Sequence, residues 1–155
     1  MVKKLDQTDL DILALLYQDA RLTNKEIAEQ VNIAPSTCLE RIRRLQQDGV
    51  VKGAHAVVNY DALGGHIQAM VAIRLNRHEK GIIDHFQEEV TQLPEVIGLF
   101  HMGGENDFLV HVSVKNTQHL RDFVFSAFTS RTEVVHLETA LIYEYARGKN
   151  LPAFR

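Results

Sequence analysis

The residues best suited to chemistry lie at positions 35–47, where arginine and hydroxyl side chains alternate with apolar ones. Thr37, Arg41 and Arg44 are spaced by four and three residues, so on a helix they share one face. Arginine can bond bidentately to guanine or to a phosphate, and a hydroxyl group can reach base edges or backbone oxygens. The pattern predicts an exposed, mostly basic helix face that can bind nucleic acid, with Arg43 at its flank.

The opposite side of the same segment is apolar. Leu39, Ile42 and Leu45 recur every third residue and are predicted to face the core. Cys38 falls with them and is predicted to be a small packing residue rather than a nucleophile. A plainer interpretation of the arginines is that they only solvate the outer side of a helix, as most exposed arginines do.

Charge is unevenly distributed along the chain. Residues 1–55 carry equal numbers of basic and acidic side chains, so the net charge of −3 lies entirely in residues 56–155. Residues 35–52 have a basic excess. The acidic side chains of the first part lie mostly upstream, at Asp6, Asp9, Asp11 and Asp19. Any phosphate-binding surface is therefore expected in the later stretch.

Three short helices are predicted to position the basic face. The first follows Asp6, the second begins at a capping box formed by Thr23 and Glu26, and the third begins at Pro35. Two helices with so short a connection form a helix-turn-helix, whose second helix can lie in the major groove of DNA. The valine-rich residues 50–60 are predicted to be extended, as a reduced wing and a tether.

The rest of the chain predicts a second, α+β domain. Its elements follow in the order β-α-β-β-α-β, with strands over residues 67–75, 95–102, 107–114 and 135–145 and helices between them. This order is typical of the ferredoxin-like fold, with both helices on one face of an antiparallel sheet. We therefore predict a winged helix-turn-helix over residues 1–60 and a ferredoxin-like domain over residues 61–155.

One face of that sheet would remain open. The last strand carries apolar residues on both of its sides, which predicts that a second copy of the chain covers the open face. A dimer also suits DNA, because two reading heads about a two-fold axis bind two half-sites. The sequence thus predicts a homodimer.

A candidate ligand site lies in the loop between the two middle strands. Gly103 and Gly104 would let backbone N–H groups approach an anion, and Glu105 or Asp107 could accept hydrogen bonds from an ammonium group. This combination suits a free amino acid. The alternative is an ordinary turn that uses glycine for a positive φ and Asn106 for local hydrogen bonds.

Other functions find less support in the residues. The eight histidines are scattered and Cys38 is the only cysteine, so we expect no metal site and no cofactor. No nucleophile elbow, phosphate loop or pair of carboxylates on one face is present, which argues against an enzyme. The apolar runs are short and the start does not resemble a signal peptide, so a cytoplasmic protein without a membrane segment is expected.

Three segments together resemble one family from end to end: LDQTDLDILALLYQDARLTNKEIAEQV, APSTCLERIRRLQQDGVVKG and LPEVIGLFHMGGENDFLVHV. The chain resembles the Lrp/AsnC transcription factors, the leucine-responsive and asparagine-synthesis regulators. The resemblance implies a winged helix-turn-helix and an ACT-like ferredoxin domain that binds an effector. It also implies double-stranded DNA as a partner, an amino acid as ligand, and dimers that assemble further, often to octamers.

The resemblance also assigns residues. The recognition helix of the family falls on residues 35–47, which implies DNA contacts by Ser36, Thr37, Arg41 and Arg44. The Gly-x-x-Asp pattern of the effector loop falls on Gly104 and Asp107. Family ligands also meet the last strand of a neighbouring subunit, which implies two further positions, Thr139 and Leu141. The chain departs from many relatives at Gly103 and Asn106, so the identity of the effector stays open.

These observations predict a sequence-specific DNA-binding transcriptional regulator whose assembly and operator binding are modulated by a small amino acid. The alternative is a ligand-binding assembly protein without a specific DNA target. Binding to duplex DNA separates the two.

Overall fold

A computed structural model describes residues 4–154 and divides them into two compact units. The first unit comprises residues 4–57 together with 146–154, and the second comprises residues 58–145. The last residues were expected in the second domain, but they pack with the helices of the first. The guanidinium of Arg147 lies 4.2 Å from the ring centroid of Tyr17 and donates to the carbonyl of that residue at 3.3 Å.

The first unit is built from α1 (Gln7–Gln18), α2 (Asn24–Gln30) and α3 (Pro35–Gln47). The predicted capping box at α2 is confirmed, since Thr23 Oγ1 accepts from the backbone N–H of Glu26 at 3.2 Å and Glu26 Oε2 accepts from that of Thr23 at 2.7 Å. A second box starts α1, where Asp6 and Asp9 satisfy each other's backbone N–H groups. Local chemistry thus fixes where two of the three helices begin.

The core of this unit includes the predicted apolar side of α3 except for Leu39. Its fully buried side chains are Ile12, Ile27, Ala28, Cys38 and Leu45. Cys38 is buried as expected, but the prediction for Leu39 is wrong, because that side chain is 37% exposed. Packing is centred on Cys38 and Leu45. Compared with the predicted orientation, α3 is therefore turned about its axis, and Leu39 lies toward solvent.

The connection after α3 is extended and unpaired. Residues 50–60, all of them described, form no strand, so the hydrogen-bonded ladder of a wing is missing from this stretch. Val50 and Val51 pack against the helical core, whereas Val57 is almost fully exposed. The beginning of the segment therefore anchors to the helices, and its end acts as the expected tether.

The second unit has the predicted ferredoxin-like order. Its elements are β1 (Ile67–Leu75), α4 (Lys80–Val90), β2 (Val96–His101), β3 (Phe108–Val114), α5 (Thr117–Val124), a π-helical turn (Phe125–Thr129) and β4 (Val134–Ile142). All strand pairs are antiparallel, and the strands lie in the order β2-β3-β1-β4. The last strand ends at Ile142, earlier than the predicted Tyr145.

The strict alternation of β1 explains how the sheet packs. Ala69, Val71, Ile73 and Leu75 are buried, and they join apolar side chains of both helices in one core. At its centre the rings of Phe86 on α4 and Phe108 on β3 stack with centroids 4.9 Å apart. Burying one face in this way leaves the other face uncovered.

The uncovered face mixes apolar and polar groups. Met70 and Leu109 are partly buried there, Phe100 is exposed, and His111 Nε2 lies 2.9 Å from Gln68 Oε1. Partial burial lowers the pKa of His111, because desolvation disfavours the charged imidazolium.

Within residues 4–154 no helix is long and apolar enough to span a membrane.

Candidate functional site

The outer face of α3 carries part of the predicted basic site. Ser36 and Thr37 are exposed in the first turn of the helix, and Arg43 is exposed further along it. The N-cap residue Ala34 supplies no side-chain hydrogen bond to the first turn. The free N–H groups of such a turn point outward and favour an anion.

Arg41 is turned away from this face, toward α1. Its Nη1 atom donates to Asp6 Oδ1 and Oδ2 at 2.9 and 2.7 Å and to Asp9 Oδ1 at 2.8 Å. The hydrogen bond that Arg41 donates lowers the pKa of Asp6, and the hydrogen bonds that Arg41 donates to Asp6 and Asp9 raise its own pKa. The guanidinium is therefore held between two carboxylates of the neighbouring helix.

Arg44 joins the same cluster. Its Nη2 atom donates to both carboxylate oxygens of Asp9, at 2.6 and 2.7 Å. The Asp9 side chain is only 2% exposed, while those of Arg41 and Arg44 are 24% and 36% exposed. A buried carboxylate needs such charged donors, because burial without a partner would cost several kcal/mol.

The prediction that Arg41 and Arg44 project outward together is therefore wrong in orientation. They converge on Asp9, and Arg43, placed at the flank by the sequence, is the exposed arginine. The error came from centring the apolar face near Leu39, when Cys38 and Leu45 define the core side. With α3 turned in this way from the predicted orientation, Arg41 faces α1 and Arg43 faces solvent.

Sequence reasoning missed the role of Asp6 and Asp9. They were noted only as acidic residues upstream of the basic stretch. A signal was available, because two aspartates three residues apart at a helix start form a capping box. Nothing local, however, revealed that Asp9 is also the acceptor for a helix more than thirty residues later.

Cys38 has no chemical role in this arrangement. It is fully buried in the helical core, and burial raises the pKa of its thiol. A buried thiol with a raised pKa is a poor nucleophile, which agrees with the prediction of a packing residue.

The predicted ligand loop spans residues 102–107, between β2 and β3. Gly104 has φ +144°, a conformation that a side chain strains, whereas Gly103 has open space around it and no such φ. Asn106 Oδ1 is buried and accepts no hydrogen bond from the described residues. An unpaired buried acceptor is rare and needs a donor, which a water molecule or a ligand can supply.

Asp107 connects the loop to strand β1 through hydrogen bonds. It is buried, its Oδ2 accepts from the backbone N–H of Leu75 at 2.7 Å, and its Oδ1 lies 2.8 Å from Nε2 of His78. Its own backbone N–H donates to the carbonyl of Ile73 at 2.8 Å. The carboxylate therefore ties the loop to the end of β1, and each of its oxygens already has a partner within the chain. Glu105 is exposed, 3.6 Å from Arg74.

Thr139 and Leu141 lie apart from this loop within one chain. Both are exposed on β4, opposite Val71 and Ala69 of β1, whereas the loop meets β1 beyond Ile73. One chain therefore brings Gly103, Gly104, Asn106 and Asp107 together, but not Thr139 and Leu141.

The histidines form no cluster suited to a metal. Within residues 4–154 no group of three or more His, Cys, Asp or Glu side chains has a metal-binding arrangement. His119 instead lies 3.1 Å from a carboxylate oxygen of Glu95.

Both halves of the chain match known family models. Residues 5–52 match a winged helix-turn-helix DNA-binding domain, and residues 68–147 match the Lrp/AsnC ligand-binding domain. The first match falls within the helical unit, and the second covers most of the ferredoxin-like unit and extends two residues past its end.

Relatives align over nearly the whole chain. The HTH-type transcriptional regulator AldR of Mycolicibacterium smegmatis is 38% identical over 94% of this chain and 85% of the relative. The leucine-responsive regulatory protein of Rhizobium meliloti is 33% identical over 89% and 88% of the two chains. A crystal structure of a Neisseria meningitidis transcriptional regulator in complex with L-Met is 29% identical, with a TM-score of 0.85 over 96% of this chain and 97% of that one.

Proposed function

Because this chain belongs to the Lrp/AsnC family of DNA-binding transcriptional regulators, we propose that it binds specific operators through α3 and that an amino acid bound at the loop of residues 102–107 modulates this binding. The observation that carries the proposal is the outer face of α3, with an uncapped first turn and exposed Ser36, Thr37 and Arg43. Hydroxyl groups, free N–H groups and a guanidinium together supply both phosphate and base contacts.

The amino-acid part rests on the loop. Asn106 Oδ1 offers a buried acceptor for an ammonium group, and the space around Gly103 and Gly104 is open, so a carboxylate can approach the backbone there. In this proposal Asp107 holds the loop in shape and does not bind the ligand itself. The L-Met complex of the Neisseria relative supports an amino acid as the ligand class.

Assembly completes the proposal. The partly apolar open face of the sheet suits a second copy of the chain, and higher assembly up to an octamer agrees with the family. Thr139 and Leu141 would then complete an effector site with the loop of a neighbouring subunit. Effector binding would shift the population of assemblies that fit the operator.

Selection of bound genomic fragments tests the DNA-binding part. We expect the purified protein to enrich a small set of fragments that share a sequence, and to change their recovery when one amino acid is present. Recovery no different from that of random fragments at physiological salt would refute sequence-specific binding.

Calorimetry with each of the twenty amino acids tests the effector part. We expect heat from a small subset, and we expect Asn106→Ala to abolish it while operator binding persists. Glu105→Ala is the matched control, because that side chain lies on the same loop but is exposed. Equal heats from wild type and Asn106→Ala would remove the loop acceptor from the site.

A further inference from the structure

Arg41 and Arg44 share one buried acceptor, which separates them from the third arginine of α3. Asp9 receives both guanidinium groups at 2.6 to 2.8 Å. We propose that Arg41 and Arg44 are positioning residues that fix α3 on α1 through Asp9, and that Arg43 is the arginine of α3 that contacts DNA. This inference rests on the proposed function, because it assigns roles within that same DNA interface.

The cluster formed by Asp6, Asp9, Arg41 and Arg44 is balanced in charge. Two guanidinium groups meet two carboxylates, Asp6 and Asp9, so the cluster presents no net charge to DNA. The Asp6 carboxylate is 54% exposed beside Arg41 and would repel a phosphate that approached that arginine. A cation already neutralised in this way releases few counterions from DNA.

The two aspartates of the cluster are held in place by α1 itself. Asp6 and Asp9 form the N-terminal capping box of α1, where the helix dipole also favours negative charge. Their positions are therefore fixed by hydrogen bonds within their own helix, independently of α3. An arginine that binds a carboxylate fixed in this way orients α3 with little freedom, which a recognition helix needs in order to present its outer face.

Arg43, unlike the other two arginines of α3, is exposed. It lies on the outer side of α3 with Ser36, whereas Arg41 and Arg44 point to α1. Among residues 4–154 it makes no ion pair. Its full charge is therefore available to a phosphate or to a guanine edge.

The salt dependence of DNA binding separates the two roles. The probe is a duplex enriched by the wild-type protein from a random library, titrated by fluorescence anisotropy from about 50 to about 200 mM salt. Losing one phosphate contact lowers the slope of log affinity against log salt by about 0.9 per bound head. Arg43→Gln should lose affinity roughly tenfold. If Arg43 contacts a phosphate, the salt slope should also show this decrease; if it contacts a base, the slope should stay unchanged and the preference at one base pair should relax.

Arg41→Gln should behave differently. We expect weaker operator binding and a lower melting temperature, because the orientation of α3 is disturbed. The double variant Asp6→Asn/Arg41→Gln keeps the cluster neutral and should show an unchanged salt slope. Arg41→Lys should restore affinity and melting temperature, since a single nitrogen, Nη1, makes all three carboxylate contacts. A slope reduced by about 0.9 in Asp6→Asn/Arg41→Gln, equal to the reduction in Arg43→Gln, would overturn the assignment.

A measurement on the wild-type protein guards against unfolded variants. The guanidinium NMR signals of Arg41 and Arg44 should keep their positions when the duplex is added, while those of Arg43 should shift. Movement of the Arg41 and Arg44 signals with a static Arg43 would contradict the inference. If the wild-type protein enriched no duplex, the proposed function would fail instead, so the two failures are distinguishable.

Discussion

Replacing Asp9 by alanine should destabilise the helical unit more than any other exchange of a charged residue on α1. The change removes charge-assisted hydrogen bonds to Arg41 and Arg44 and the return bond of the capping box to the Asp6 N–H. Each hydrogen bond to a charged group contributes about 1.5 to 3 kcal/mol when buried. Because both arginines are partly exposed, their share falls toward surface values. We therefore expect a loss of about 2 to 4 kcal/mol in the free energy of unfolding.

Amide hydrogen exchange measures this loss separately for each unit. Protection of α1 and α3 amides should fall in Asp9→Ala, while β1 amides in the second unit serve as an internal reference. Asp11→Ala is the control variant, because Asp11 is exposed on the same helix and its bond to Gln7 lies at the surface. Protection of α3 lowered by less than about 0.5 kcal/mol, the range of ordinary surface changes, would refute the role given to Asp9.

Two further changes test the second unit. Gly104→Ala should destabilise the loop by about 1 kcal/mol, because φ is +144° there, whereas Gly103→Ala should be nearly neutral; equal melting temperatures of the two variants would contradict this. The pKa of His111 is lowered by burial, so the unfolded chain binds its proton first and the unit should lose stability as pH falls below about 6.5. His111→Gln should flatten that decline in urea unfolding, and an unchanged pH dependence would show that other groups cause it.

The sequence predicted best those elements whose boundaries depend on neighbouring residues. The capping box of Thr23 and Glu26 and the alternation of β1 need only a few positions each, and both are confirmed. The end of β4 was placed too late, because Tyr143 and Tyr145 continue the apolar pattern without continuing the pairing with β1. A pattern records side-chain type, whereas a strand also needs a partner.

Contacts distant along the chain were the part that could not be predicted. Asp9 and Arg44 are 35 residues apart, and Asp107 and the Leu75 N–H are 32 apart. In each case the sequence showed a charged residue in the correct segment and suggested an external partner for it, whereas the fold supplies an internal one. Buried charges are satisfied within the protein wherever packing brings a partner close.

The register of the sheet links effector binding to assembly. Leu141 stands opposite Ala69 and the loop meets β1 beyond Ile73, a separation of about 13 Å along the strand at about 3.3 Å per residue. A single amino acid is too short to contact the loop and Leu141 of the same chain. A site that uses the loop and Leu141, as proposed, therefore needs two chains. Linkage then requires that the ligand strengthen subunit association by the same factor by which association strengthens ligand binding. Ligand affinity should therefore rise with protein concentration, and a ligand held by Asn106 and its loop alone would lack that dependence.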